Sequence, residues 1–225
     1  PIRVRFALSD GVSVHVAIGY DVANTILIHT PEGNVVIDAM TSPARAELAR
    51  ARLLEQAPGP TLALILTHSH IDHVGGATAW APLDGSVPIW ATAGFTDHFF
   101  KQYGVFQAAE QRRGKRQFGA RVSAANLPCS ALGARIDFAS GIGDGVRLPT
   151  RTFSGTTTLA VGGLRIELHE APGETDDQLF VWLPDQRLLL PGDNIYRAFP
   201  NLYTIRGTRP RPVDAWVESL DHMRR

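Results

Sequence analysis

Cysteine is nearly missing from this chain, with one residue, Cys129, among 225. A single thiol excludes an internal disulfide and any Cys-rich zinc cluster, so a metal would have to be held by His, Asp or Glu. Excess charge is missing as well, since 22 Lys and Arg residues balance 22 Asp and Glu. No global field therefore recruits nucleic acid or an anionic membrane, and a charged substrate must be met locally. No apolar run approaches the roughly 20 residues of a membrane span, and no charged-then-apolar leader precedes the first strand signal. The chain opens at Pro1 without a methionine. That leaves a removed leader open, and with it the choice between a cytoplasmic and a periplasmic or secreted soluble protein. Repeats and low-complexity tracts are lacking. Gly141, Gly143 and Gly145 lack the following helix that a dinucleotide fingerprint needs, and read as a flexible loop. What is present, 44% hydrophobic and 20% charged residues, suffices for one domain with a sizeable core.

Val12 to Ile18 alternates with period two, and Thr25 to His29 and Asn34 to Asp38 follow as short apolar runs, which predicts successive antiparallel strands. Ser42-Pro43 opens a helix as N-cap and first-turn proline, running to about Gln56 before Pro58-Gly59-Pro60. Leu62 to Leu66 is continuously apolar, as a strand buried on both faces would be. Phe95 to Gly119 looks helical, with Phe95, Phe99, Phe100 and Tyr103 at core-face spacing and a solvated basic run at Arg112 to Arg116. Strand signals return at Thr156 to Val161, Leu164 to His169, Gln178 to Leu183 and Arg187 to Leu190, and a last helix begins near Pro212. This order predicts an α/β chain of two packed sheets with helices outside.

Thr67-His68-Ser69-His70-Ile71-Asp72-His73 follows the buried strand, at the end where α/β sites usually lie. On an extended segment His68, His70 and Asp72 share a face, and a turn into a helix at His73 swings that imidazole beside Asp72. Imidazole and carboxylate are donors for zinc, or for iron or manganese. Chance would produce this pattern in roughly 6 of 10,000 such chains, so a metal site is the stronger reading. Asp38, closing an apolar strand, reads equally as a turn residue or as one that orients a ligand histidine through its second ring nitrogen. His15, His29 and His98 stand isolated, and His169 falls on the polar face of a strand.

With the preceding strand and Gly75-Gly76, the cluster resembles the signature of the metallo-β-lactamase superfamily. That resemblance implies the αβ/βα sandwich of two mixed sheets, with residues 1–225 as one catalytic domain. It also implies further ligands from Ala171-Pro172-Gly173-Glu174-Thr175 and Leu190-Pro191-Gly192-Asp193-Asn194. Where the superfamily usually has His, Glu174 stands. Together with Asn201-Leu202-Tyr203-Thr204-Ile205-Arg206-Gly207, this resembles the alkyl sulfatase branch, whose members usually have Glu where Asp193 stands. The resemblance assigns His68, His70 and Glu174 to one zinc, Asp72 and His73 to a second, and Asp193 to both. Asp72 and Asp193 are the expected catalytic carboxylates beside a bridging hydroxide.

The superfamily's second-metal histidine has no counterpart, because His222 lies in a helical pattern and reads as a surface residue. The expectation is a chain lacking its C-terminal part, completed by a further segment or a homodimer. Two divalent ions and three carboxylates leave one positive charge for hydroxide, so a monoanionic sulfate ester needs another donor. Arg206 has the planar fork for it, and Asn201 an amide; the branch uses matching residues for sulfate. The expected activity is hydrolysis of alkyl sulfate esters. Other hydrolases of the superfamily, acting on thioesters, lactones or β-lactams, and a di-iron redox protein are the alternatives.

Overall fold

The computed structural model describes residues 1–9, 11–127 and 136–225, so Cys129 lies outside the described residues. The chain runs β1 (Ile2–Ser9), β2 (Val12–Ile18), β3 (Thr25–Thr30), β4 (Gly33–Ile37), α1 (Pro43–Leu54), β5 (Thr61–Ile65), α2 (Ile71–Val74) and β6 (Ile89–Thr92). It continues with α3 (Phe95–Phe100), a π-type turn at Lys101–Val105, α4 (Gln107–Gln117), β7 (Arg151–Phe153), β8 (Thr156–Val161), β9 (Leu164–Glu170), β10 (Leu179–Leu183), β11 (Leu188–Leu190) and α5 (Val213–Met223). Seven strands form one sheet in sequence order, and β11-β10-β9-β8 form the other.

The first sheet is mixed, antiparallel from β1 to β4 and parallel from β4 to β7. The smaller sheet is antiparallel throughout rather than mixed. Its strands are joined by short reversals, Gly162-Gly163 between β8 and β9 among them, and a parallel neighbour would need a crossover of a dozen or more residues.

The apolar run before the histidines does what its composition requires. Leu64 and Leu66 enter a core shared with Ala46, Ala49 and Leu53 of α1, while Ala63 and Ile65 enter a second core shared with Ile166, Leu168, Leu179 and Val181 of the smaller sheet. Fully burying each such aliphatic side chain stabilises the fold by about 1.5–3 kcal/mol, so two cores fix β5 on both faces. Helix α1 begins as expected, with Ser42 Oγ accepting from Arg45 N at 3.3 Å and Pro43 in the first turn. Helix α5 covers the smaller sheet, with the His222 ring 5.4 Å from Phe180. The expected loop at Gly141 to Gly145 is pinned rather than free, since Gly143 N donates to Thr41 O at 2.8 Å and Gly145 N to Gly75 O at 2.9 Å.

Candidate metal centre

Two sheet ends meet at the His/Asp cluster. Leu179 N donates to Thr67 O at 2.8 Å, tying the loop after β5 to the start of β10. The chain stays extended through His70 (φ −64°, ψ 141°), so His68 and His70 converge, with Nε2 of the first 2.9 Å from Nδ1 of the second. Helix α2 then starts at Ile71, two residues earlier than the pattern suggested, because Tyr103 Oη accepts from Ile71 N at 2.9 Å and His73 N bonds back to His70 O at 3.0 Å. Asp72 therefore stands on a helical turn beside His73 instead of on the extended face. The turn fits closely under the 39–42 loop: a Cβ on Gly75 would lie 1.9 Å from Thr41 O.

Across the cleft, Glu174 is held by its backbone. Its N–H donates to Asn194 Oδ1 at 3.0 Å, Asn194 Nδ2 donates to Ala171 O at 2.8 Å, and Trp216 Nε1 donates to Asn194 O at 3.1 Å. A Cβ on Gly173 would lie 2.2 Å from Asn194 Oδ1, which explains the glycine of the Pro-Gly pair.

These elements create two groups whose ligand atoms come within 4.8 Å of one another, His68-His70-Glu174 and His68-His73-Asp193. His68 thus reaches both, where the resemblance gave it to one. Asp72 adjoins the second group, its Oδ2 3.6 Å from His73 Nε2. The donor set fits a divalent ion on an independent ground, for His73 Nε2 is buried and without a hydrogen bond, although Asp193 Oδ2 lies 3.3 Å away. An orphan ring nitrogen among carboxylates is costly unless a cation fills the gap.

Of its two readings, Asp38 takes the orienting one. Its Oδ2 receives His73 Nδ1 at 2.7 Å and Thr67 Oγ1 at 2.8 Å, and Oδ1 receives Thr67 N at 2.8 Å. Thr67 Oγ1 is also 3.1 Å from His68 Nδ1. The consistent proton arrangement leaves Nε2 of both histidines as lone pairs facing the site. Asp38 has φ 61°, a left-handed conformation maintained by these bonds. Asp38→Asn is expected to weaken zinc binding by about 10–100-fold, measured by competition with a chromophoric chelator; unchanged affinity would remove Asp38 from the site.

Burial, reinforced by neighbouring cationic groups, holds His68 and His70 well below the usual imidazole range, so both are neutral and ready to ligate. His73 goes the other way: burial opposes its charge, but Asp193, Asp38 and Asp72 outweigh it and raise its affinity for a proton. Burial pushes Glu174 up to about 7 against the opposing charge of Arg211. Crowded carboxylates of this kind compete for cations, and a divalent ion satisfies more of them than a proton does.

Beside the ligands is a cavity of about 380 Å³ lined by His70, Glu174, Arg206 and Arg211, with Phe106 and His98. Arg206 reaches it as expected. Its Nε pairs with Glu110 Oε1 at 3.2 Å, and its Nη2 comes within 3.4 Å of His70 Nε2. Asn201 is exposed and is not among the residues lining this cavity. His98 is not isolated, for its Nδ1 lies 2.8 Å from Ser69 Oγ and 3.4 Å from buried Asp177 Oδ1. Nor is His169 solvent-exposed; its ring stacks on Phe180 with centroids 4.6 Å apart. His222 is exposed, as expected, and belongs to neither ligand group. The aromatic stripe divides: Phe95 is core, while Phe100 and Phe106 are 51% and 60% exposed.

Sequence reading missed Arg211, Tyr196 and Glu110. Arg211 Nη2 pairs with Glu174 Oε1, Arg211 Nη1 donates to Tyr196 Oη at 3.2 Å, and Tyr196 Oη donates to Glu174 Oε2 at 3.3 Å. The available signal was the run of three arginines, Arg206, Arg209 and Arg211, within six positions of a chain with no charge excess.

The profile of the metallo-beta-lactamase superfamily matches residues 18–225, and the chain belongs to that superfamily. Within it, the resemblance is to alkyl sulfatases. The chain is 27% identical to the linear primary-alkylsulfatase of Pseudomonas sp. (strain ATCC 19151) over 88% of its own length and 38% of the relative's. It is 30% identical to an (R)-specific secondary-alkylsulfatase of Pseudomonas sp. over 90% and 32%. The solved structure of the stereoselective inverting sec-alkylsulfatase Pisa1 from Pseudomonas sp. superposes with a TM-score of 0.85 at 27% identity, covering 98% of this chain and 36% of that one. The chain thus spans about a third of the length of these relatives. Metallo-beta-lactamase IND-7, at 16% identity and a TM-score of 0.63, shares the fold.

Proposed function

We propose that this chain carries the catalytic site of a zinc-dependent hydrolase of alkyl sulfate esters. The observation that carries the reading is that Arg206 shares a cavity with His70 and Glu174 of the first ligand group, which adjoins the second through His68. His68, His70 and Glu174 would hold one ion, Asp72 and His73 the other, and Asp193 would be shared between them. Two such ions supply a water acidic enough to attack near neutral pH. The chain's own residues do the rest. Asp38 keeps two ring nitrogens aimed at the site, Glu110 takes the Nε side of Arg206, and the rest of its guanidinium, beside His70 on the cavity, is offered to sulfate oxygens. Phe106 gives the same cavity an apolar wall for the alkyl part. Among the described residues no helix is long and apolar enough to cross a membrane.

The likeness to alkylsulfatases named for linear primary and secondary alkyl substrates supports this reading, as does the carboxylate at 174. The test is a side-by-side assay of zinc-loaded protein on dodecyl sulfate, a chromogenic β-lactam, a thioester and a lactone. Turnover of dodecyl sulfate at least about tenfold above the rest, as kcat/KM, is expected. Preference for any of the others would overturn the sulfatase reading while keeping the hydrolase.

A further inference from the structure

Of the four arginines that line the cavity beside the ligands, Arg113, Arg206, Arg209 and Arg211, two reach toward the ligand residues, Arg206 and Arg211, and their partners differ in kind. Arg206 has a carboxylate of its own, Glu110, which belongs to neither ligand group. Arg211 is paired with Glu174, a member of the His68-His70-Glu174 group, and among the described residues it has no other ion-pair partner. The pair is deeply buried, with side-chain exposures of 7% and 6%. The Glu174 oxygen that meets Arg211 is Oε1, which also lies 3.5 Å from His70 Nδ1. A divalent ion held by that group and the Arg211 guanidinium would therefore compete for the same carboxylate.

We infer that Arg211 is an exchangeable counter-cation, released from Glu174 by metal binding and then available to bind the substrate's anionic group alongside Arg206. Once an ion neutralises Glu174, Arg211 is a buried cation without a counter-charge, a condition that costs several kcal/mol unless an anion arrives. It cannot withdraw far. Tyr196 Oη accepts from its Nη1, and its guanidinium carbon sits 5.9 Å from the Trp216 ring. The anion must come to it through the cavity it shares with Arg206.

Charge counting then selects the substrate. Two divalent ions, the carboxylates Asp72, Glu174 and Asp193, and one hydroxide sum to zero, and Arg206 with Glu110 adds nothing. Arg211, with Arg113 of the same cavity, which has no ion pair among the described residues, leaves the site positive and suited to an anion such as a sulfate monoester. This deepens the proposed function and rests on it for the identity of the anion; the exchange at Glu174 does not depend on it.

The experiment compares wild type with Arg211→Gln in two binding measurements. Zinc affinity of chelator-stripped protein is read by competition, and affinity of zinc-loaded protein for inorganic sulfate is read by calorimetry. Loss of the competitor should tighten zinc by about threefold or more, while loss of the cation should weaken sulfate by about tenfold. Weaker zinc binding, or sulfate affinity unchanged, would overturn the inference and leave Arg211 as a prop for Glu174. If Arg211→Gln does not fold, Arg211→Lys decides: it keeps the charge but not the fork, so sulfate should weaken several-fold, and an unchanged sulfate affinity overturns the inference. Failure of the sulfatase reading looks different, with zinc-loaded wild type inactive on dodecyl sulfate while both binding shifts persist.

Discussion

His68→Ala is expected to abolish binding of the metal held with His70 and Glu174 and to lower kcat/KM on dodecyl sulfate by on the order of 1000-fold or more. The effect is large because His68 lies within reach of the ligand atoms of both groups, so its loss also disturbs the second. It is fully buried, with Nδ1 directed at Thr67 and Nε2 at the site. Truncation leaves a hole and some loss of stability, so activity alone would be ambiguous. The discriminating readout is the rise in Tm on adding zinc, which reports binding to the folded state and should disappear in the variant. Zinc near two equivalents by elemental analysis in folded His68→Ala would contradict its role as a ligand.

Arg206 gives the second large effect. Replacing it with Gln should reduce kcat/KM on dodecyl sulfate by about 30- to 100-fold, equivalent to ~2–3 kcal/mol for a charge-assisted contact, with zinc content unchanged. Arg206→Lys should recover little, since a point charge cannot make the paired contacts of the fork. Its partner Glu110 would be left buried without its cation in Arg206→Gln, so the double variant Arg206→Gln/Glu110→Gln controls for stability. Loss of zinc in parallel with activity would place Arg206 in metal binding instead of substrate binding.

What could be read from the sequence was what depends on neighbours along the chain. Leu62 to Leu66 announced a doubly buried strand because every residue in it is apolar, and the histidine cluster was legible because its ligands fall within six positions. Strand β1 was not read, although Ile2-Arg3-Val4-Arg5-Phe6 alternates. It lies at the sheet edge and leaves Ile2 63% and Phe6 54% exposed, so no hydrophobic run marks it. Strands β6 and β7, with four and three residues, are too short for a period to show. The side chains that tune the site were hidden for a different reason. Arg211 meets Glu174 across 37 positions, and Ser69 meets Asp177 across 108, contacts made by two sheets packing and not by any local pattern. His98 looked isolated on the same account. Asp38 was legible only as one of two readings, because a carboxylate ending a buried strand next to a histidine-bearing loop can serve a turn as well as a ligand.

We propose that this site hydrolyses sulfate esters through metals held by these residues. That proposal is tested most directly by titrating zinc into chelator-stripped protein and following sulfate release from dodecyl sulfate. The account predicts no release without metal, a rise that tracks zinc occupancy, and reversal by chelator. Stoichiometric zinc without sulfate release, or release that persists in the stripped protein, would contradict it.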